Sequence, residues 1–487
     1  MPSAIELLHI TKRYPGVIAN DDVSIRIGQG EIHGLIGENG AGKSTIMSIL
    51  YGMVKPDEGT IKIFGQECEI SSPMDAIRRG IGMVHQHFML VPSLTVAENI
   101  VLGMEPRKRG MFLDYAKAVS LTEEYAERYN LQVDPHAKVM DIPVGMKQKV
   151  EILKALVRGA QILILDEPTA VLTTQETTEL FRELIHFKEQ GHTIIFISHK
   201  LKEIKQITDR LTIMRAGKSM GVFDTADVSE QDISRLMVGR DVVLKVEKEP
   251  PSPTDTVLSV TDVHYQNEYG KQMLGGVSFS VRKGEILGIA GVEGNGQREL
   301  VEMLFDMNQP DSGAIGVEGR PVAGKGQGYI RGLGVSHIPE DRMLYGVAAA
   351  GTIEENLIAD RFQKPRFNKG PLFKMDAIHE ESDRLIEDYQ ILCRSGGQQV
   401  KMLSGGNIQK VVIAKLIIAD QPTRGIDVGA TEFIRRKLVE LSREGAAVLL
   451  VSADLNEIIE LSDSLIVFYG GEIVAYFEDT STLTDLE

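Results

Sequence analysis

Short apolar runs rich in β-branched residues recur along this chain of 487 residues, among them "IHGLI" (32–36), "QILILD" (161–166), "HTIIFIS" (192–198) and "AAVLLVSA" (446–453). Each has the length of a buried strand, and none approaches the roughly 20 residues a membrane-spanning helix needs. Between them lie helix-like stretches such as "TIMSILYGM" (45–53) and the charged "DYAKAVSLTEEYAERYN" (114–130). The second of these predicts a helical insert between about Ala97 and Met140. Strand and helix alternate throughout, which predicts an α/β fold with a largely parallel sheet.

The pattern occurs twice. "GEIHGLIGENGAGKS" from Gly30 realigns with "GEILGIAGVEGNGQR" from Gly284, an offset of 254 residues. "PDEG" at Pro56 returns as "PDSG" at Pro310 at the same offset, and "ILILDEPTA" (162–170) returns as "LIIADQPTR" (416–424). This period is far too long for a solenoid and implies one domain duplicated and fused. The Pro-rich, mixed-charge stretch "VGRDVVLKVEKEPPSPTDT" reads as a short linker. The expected division is a first domain over 1–240, a linker over 241–256 and a second domain over 257–487.

Composition narrows the partners. Sixty-nine acidic against 53 basic residues leave a formal net charge of −16, which disfavours binding nucleic acid through the global field. Cys68 and Cys393 stand alone, and "MPSAIELLHI" is no signal peptide, so a reduced intracellular setting is expected.

The first half carries a nucleotide motif. "GENGAGKS", Gly37 to Ser44, has the form G-x-x-x-x-G-K-[ST] between an apolar run and a helix-like run. Such glycines let backbone N–H groups turn onto phosphate oxygens at a helix start. Lys43 then neutralises the β- and γ-phosphates, and Ser44 is the hydroxyl expected on Mg²⁺. "ILILDEP" ends an apolar strand in Asp166, placed for the metal, and Glu167, placed to polarise water. Gln86 in "GMVHQHF" and His199 in "FISHK" extend the set, with His199 expected near the γ-phosphate. Tyr14 in "KRYPG" is a candidate to stack on adenine.

Together with "LSGGN" (403–407), these motifs resemble the ATP-binding-cassette (ABC) family across the whole chain. The resemblance implies two tandem P-loop NTPase domains, each a mainly parallel sheet core with a helical subdomain and an antiparallel β part. It implies ATP and Mg²⁺ as cofactors, with Ser44, Gln86 and Asp166 at the metal and Glu167, His199 and Gln86 at the reacting phosphate. Gly37, Asn39, Gly40, Gly42, Lys43, Ser44 and Thr45 would contact nucleotide. "QPTRG" and "LSGGNIQKVVIAK" resemble fused ATPase subunits of bacterial simple-sugar importers. "GIGMVHQHFMLVPSLTVAENIVLG" is closer to the nucleoside-importing members. The implied partners are two integral membrane permease subunits and an extracytoplasmic substrate-binding protein. The implied location is the cytoplasmic face of the membrane.

In that family two such domains pair head to tail, each ATP lying between one phosphate loop and the other domain's signature. Site one would join the first-half motifs to Ser404, Gly405, Gly406 and Asp427, and is complete. Site two is broken: Gln297 replaces the lysine, Arg298 the hydroxyl, Gln421 the glutamate and Ala453 the histidine. Its partner signature is "IPVGM" (142–146), with Pro143 for the usual serine, and Thr173 replaces the aspartate. Gln421 cannot act as a carboxylate base, so slow or absent hydrolysis is expected there.

Two details qualify the pattern. "SGGQQ" (395–399) mimics a signature, but a helix begun there would carry two more glycines at about 1 kcal/mol each. Ser404 is preferred. The second half also runs 11 steps from Gln409 to Asp420 where the first runs 18 from Gln148 to Asp166. Residues are therefore expected to be absent between Lys415 and Leu416. The alternative function class, a soluble cassette ATPase acting on ribosomes or DNA, is disfavoured by the short linker, the acidity and the lack of a Cys cluster.

Overall fold

The computed structural model describes residues 2–85, 88–108, 112–170, 172–241, 248, 250–292, 294–412, 417–481 and 483. The junction between Lys415 and Leu416 lies outside them. The chain divides into two compact units, Met1–Val242 and Val243–Glu487.

In the first unit the apolar runs form a six-stranded sheet. Its order is Ile81–Val84, Ile162–Asp166, Thr193–Ile197, Ile32–Gly37, Arg210–Arg215 and Lys218–Asp224. All neighbours pair parallel except the last two strands. Ile32–Gly37 and Thr193–Ile197 are buried along their whole length, which is why they read as continuous apolar runs rather than alternating ones. The register sets Ile197 beside both Leu35 and Asp166. The phosphate loop and the acidic pair thus emerge from the same edge of the sheet, one strand apart. Ligands of parallel sheets bind at this carboxyl edge.

A separate antiparallel sheet, ordered Val17–Gly28, Ser3–Tyr14, Glu58–Ile63, Gln66–Cys68, shares the core with the phosphate-loop helix Lys43–Leu50. The helical insert contains Val96–Val101 and Tyr115–Arg128, followed by Val144–Val157. It also holds a small hairpin, Arg107–Lys108 with Phe112–Leu113, that helical periodicity did not predict. A capping box starts its first helix: Thr95 accepts from Glu98 N, and the Glu98 carboxylate accepts from Thr95 N. Thr352 and Glu355 repeat this box in the second unit.

The second unit has the same order: Ser336–Ile338, Ile417–Asp420, Val448–Val451, Ile286–Ala290, Ser464–Tyr469, Glu472–Phe477. Its antiparallel sheet runs Gln272–Arg282, Thr256–Gln266, Ser312–Val317, Arg320–Pro321. Part of the linker is attached to the second unit: Lys248 Nζ donates to Ser462 O at 2.6 Å and Thr254 N to Lys283 O at 3.0 Å. A helix begins at Gly405, after Ser404, whereas Gly396 and Gly397 lie in a turn. Among the described residues, no helix is long and apolar enough to cross a membrane.

Candidate functional site

The phosphate loop forms between strand Ile32–Gly37 and helix Lys43–Leu50. Gly42 caps the helix at φ 96°, and a Cβ there would come within 2.3 Å of Ala19 O. Only glycine suits that conformation and that space. Lys43 is buried, and its Nζ donates to Gly37 O at 2.6 Å and Glu38 O at 3.0 Å. The ammonium therefore spans the loop against two carbonyls. Asn39, Gly40 and Ser44 are exposed, and Thr45 is half-buried on the first turn.

Asp166 and Glu167 lie at the end of strand Ile162–Asp166, with Thr193–Ile197 between it and the phosphate-loop strand. Glu167 has a left-handed backbone, φ 47°, and its N–H donates to Ile197 O at 3.0 Å. His199 Nδ1 lies 2.9 Å from Glu167 Oε1. Burial and the adjacent Glu167 charge push the Asp166 carboxyl up, against the opposing pull of Lys43. Burial also pushes Glu167 up, but the His199 hydrogen bond and charge, with Lys43, outweigh it and hold Glu167 below its ordinary value. Neighbouring carboxyls with opposed shifts are the mark of a site prepared for division of labour. Beneath them Glu203 accepts from Thr169 Oγ1 at 2.7 Å and Ser198 Oγ at 3.0 Å. This buried brace ties the two loops together. It was missed in the sequence, although Thr423, Ser452 and Glu457 repeat it at the 254-residue offset.

The second unit keeps the frame and Asp420, which matches Asp166, but lacks the lysine, glutamate and histidine. Gln421 takes the same kink, φ 49°, and donates from N to Val451 O at 2.8 Å. Its Oε1 accepts from Ala453 N at 3.0 Å, where a histidine ring would otherwise meet it. Glu457 is buried, with Ser452 Oγ donating to it at 2.8 Å and Thr423 as a further hydrogen-bond partner. Gln297 Nε2 donates to Val292 O at 3.3 Å, the carbonyl that matches Glu38. Gln297 Oε1 is buried and has no hydrogen-bond partner among the described residues. Arg298 points away into an ion pair with Glu302 at 2.8 Å. The left-handed kink thus belongs to the fold and not to catalysis, since both units carry it.

Ser404 sits at the start of helix Gly405–Val412, with Asn407 Nδ2 donating to its Oγ at 2.9 Å. A Cβ on Gly406 would fall 2.5 Å from Ala430 Cβ, so this helix lies against Val428–Arg443. Asp427 caps that second helix, accepting from Ala430 N at 2.8 Å. In the first unit Pro143 precedes the matching helix without a side-chain cap, and Thr173 caps the next one. Asp427 and Thr173 therefore share a structural task.

Tyr14 is 43% exposed at the end of its strand, with Lys12 Nζ 5.7 Å from the ring centroid. Gln86 lies outside the described residues. Three residues after it, Met89 O accepts from Lys154 Nζ at 3.1 Å and Met89 N donates to Glu151, on helix Val144–Val157. A groove lined by Tyr51, Met83, His85, Met89, Glu151 and Arg158 opens beside this junction.

The donor types suit Mg²⁺. A hydroxyl and one carboxylate beside phosphate oxygens are the hard ligands it takes while keeping waters. The strand register sets Asp166 at the same sheet edge as the phosphate loop, with one strand between them.

The family model described as "ABC transporter" matches residues 20–170 and 274–425. The chain is 43% identical, over 97% of its length and 94% of the relative's, to the nucleoside import ATP-binding protein NupA of Lactococcus lactis subsp. cremoris. It is 43% identical, over 98% and 94%, to the guanosine import ATP-binding protein NupO of Bacillus subtilis. It is 41% identical, over 99% and 94%, to the glucose import ATP-binding protein TsgD13 of Haloferax volcanii.

Proposed function

Because this chain belongs to the ABC transporter family and is an ATPase, we propose that it energises nucleoside import, hydrolysing ATP at one of two unequal sites. The observation that carries the reading is the contrast between the two strand ends. One has an ionised carboxylate held by a histidine, and the other an amide held by a backbone N–H. Nucleosides are favoured over sugars because the two relatives at 43% are named for nucleoside and guanosine import.

In this reading the Gly37–Ser44 loop holds the ATP phosphates, with Lys43 leaving its loop carbonyls for phosphate oxygens. Tyr14 faces the adenine. Ser44, Gln86 and Asp166 would hold Mg²⁺, which supplies charge neutralisation at the phosphates. Glu167 accepts a proton from the attacking water, whose oxygen bonds to the γ-phosphorus as the bond to the β,γ-bridging oxygen breaks. It is ionised for that task at neutral pH, with His199 holding its pKa below the ordinary carboxylate value. His199 orients Glu167 and the γ-phosphate. Ser404, Gly405, Gly406 and Asp427 of the second unit complete the cradle, so that ATP favours closure by binding the closed state better. Membrane permease subunits dock at the groove near His85 and Met89 on the cytoplasmic face, and an extracytoplasmic binding protein selects the solute.

Two measurements test this. Lys43→Ala should abolish ATP-driven uptake of labelled nucleoside while Gln421→Ala leaves turnover within about twofold. Equal losses from both variants would mean both sites hydrolyse. In cells lacking the chain, lost pentose uptake with intact nucleoside uptake would overturn the cargo assignment.

A further inference from the structure

The second unit contains a side-chain clamp that the first unit cannot form. Arg342 follows strand Ser336–Ile338 and is half-buried. Its Nη2 donates to Arg424 O at 3.1 Å and to Gly425 O at 3.4 Å. Its Nη1 donates to Gln409 Oε1 at 3.4 Å. Gln409 belongs to the signature helix, and a Cβ on Gly405 would lie 3.5 Å from Arg342 Nη2. Arg424 in turn forms an ion pair with Glu340. The turn carrying Arg342 is held by Asp341, which accepts from Met343 N and Leu344 N at 3.0 Å each.

One planar guanidinium therefore grips two elements at once. These are the start of the signature helix and the loop leading to Asp427. A rigid fork of donors suits this task, because it holds carbonyl oxygens in a set geometry where an ammonium would not. At the 254-residue offset Arg342 corresponds to Phe88, Arg424 to Ala170 and Glu340 to Gln86. Phe88 and Ala170 supply neither fork nor charge. The Glu340–Arg424 pair is partly exposed, with side chains 34% and 43% accessible, so its own contribution to stability is small. Geometry at the signature is the better account of the cluster.

We propose that Arg342, braced by Glu340 and Arg424, is a positioning residue that sets the signature "LSGGN" and the loop before Asp427 for the nucleotide held by the first unit. This rests on the reading that the second unit's signature completes the first unit's ATP site. Arg342 itself does not touch the reacting atoms.

The test uses the full chain assembled with its membrane subunits, measuring ATPase kcat and KM and binding of a fluorescent ATP analogue. Arg342→Ala should lower kcat about tenfold while KM and analogue affinity stay within about twofold, because Lys43 still holds the nucleotide. Arg342→Lys should recover only part of kcat, since it restores charge without the fork. An unchanged kcat in Arg342→Ala, or full recovery with lysine, overturns the proposal. Should Arg342→Ala not fold, Arg424→Ala and Glu340→Gln decide: each should lower kcat about threefold and the double variant no further. Fully additive losses, or none, overturn it. Ser404→Ala separates the two levels. If it leaves kcat unchanged, the shared-site reading falls and this proposal with it. If it lowers kcat while the Arg342, Arg424 and Glu340 variants do not, only the positioning role falls.

Discussion

Glu167→Gln is the substitution whose outcome the duplication lets one calculate. The second unit already shows what glutamine does at this strand end. Gln421 has φ 49° against 47° for Glu167, and its N–H makes the same bond to the adjacent strand, 2.8 Å against 3.0 Å. The backbone therefore accepts glutamine without rearrangement. His199 keeps a partner, but a charge-assisted hydrogen bond of about 1.5–3 kcal/mol becomes a neutral one of about 0.5–1.5 kcal/mol. The expected loss of stability is thus on the order of 1 kcal/mol, a shift of a few degrees in melting temperature. The chemical step is another matter. An amide cannot take the proton from water, and removing a general base costs about 10²–10⁴ in rate, or roughly 3–5 kcal/mol of barrier. Single-turnover phosphate release at saturating ATP reads this loss directly, and binding of a fluorescent ATP analogue should stay within about threefold. Phosphate release within tenfold of the unaltered protein would refute the assignment of Glu167 as base. Normal release with lost nucleotide binding would instead make it a ground-state contact.

Gly406→Ala should destabilise the second unit by about 1–3 kcal/mol, because its methyl would sit 2.5 Å from Ala430 Cβ and force the signature helix off its neighbour. Hydrogen exchange should show faster opening of 405–412, and ATPase activity should fall although the first unit is untouched. His337 offers a pH test. Burial, with the nearby Arg331 charge, lowers it from 6.5 to about 4, and its ring stacks on Phe305 at 4.6 Å. The unfolded chain takes up a proton near pH 6.5 that the folded state refuses until about pH 4. Stability is therefore lost as pH falls between those values, up to roughly 3 kcal/mol. His337→Met, which installs the residue matching Met83, should flatten that part of the acid melting profile. An unchanged profile would show that His337 is not the group responsible.

Much of this protein was legible in its sequence because its main signals are local. Continuous β-branched runs identify buried parallel strands, since both faces of such a strand avoid water. The glycines of "GENGAGKS" identify a turn that L-residues resist, and the acids after "ILIL" identify a strand end. The repeat made the second half readable by subtraction. What remained hidden depended on contacts between segments far apart in the chain. The hairpin at Phe112 inside the helical insert is too short to leave a period. The brace of Thr169, Ser198 and Glu203 joins residues up to 34 positions apart, and ordinary residue types at that separation carry no signature.

Which half holds the lysine, the glutamate and the histidine is readable from residue types alone, because charge and basicity are properties of residue types. Lys43, Glu167 and His199 against Gln297, Gln421 and Ala453 need no coordinates to be told apart. What those groups face was set by the folding of remote segments together. It set the 2.9 Å approach of His199 to Glu167 and the opposed shifts of Asp166 and Glu167. It gave Asp427 a structural task at its helix start, and it joined Arg342 to a loop 82 positions away. Hydrogen bonds and desolvation depend on distance in space, and the fold creates those distances by laying remote segments side by side.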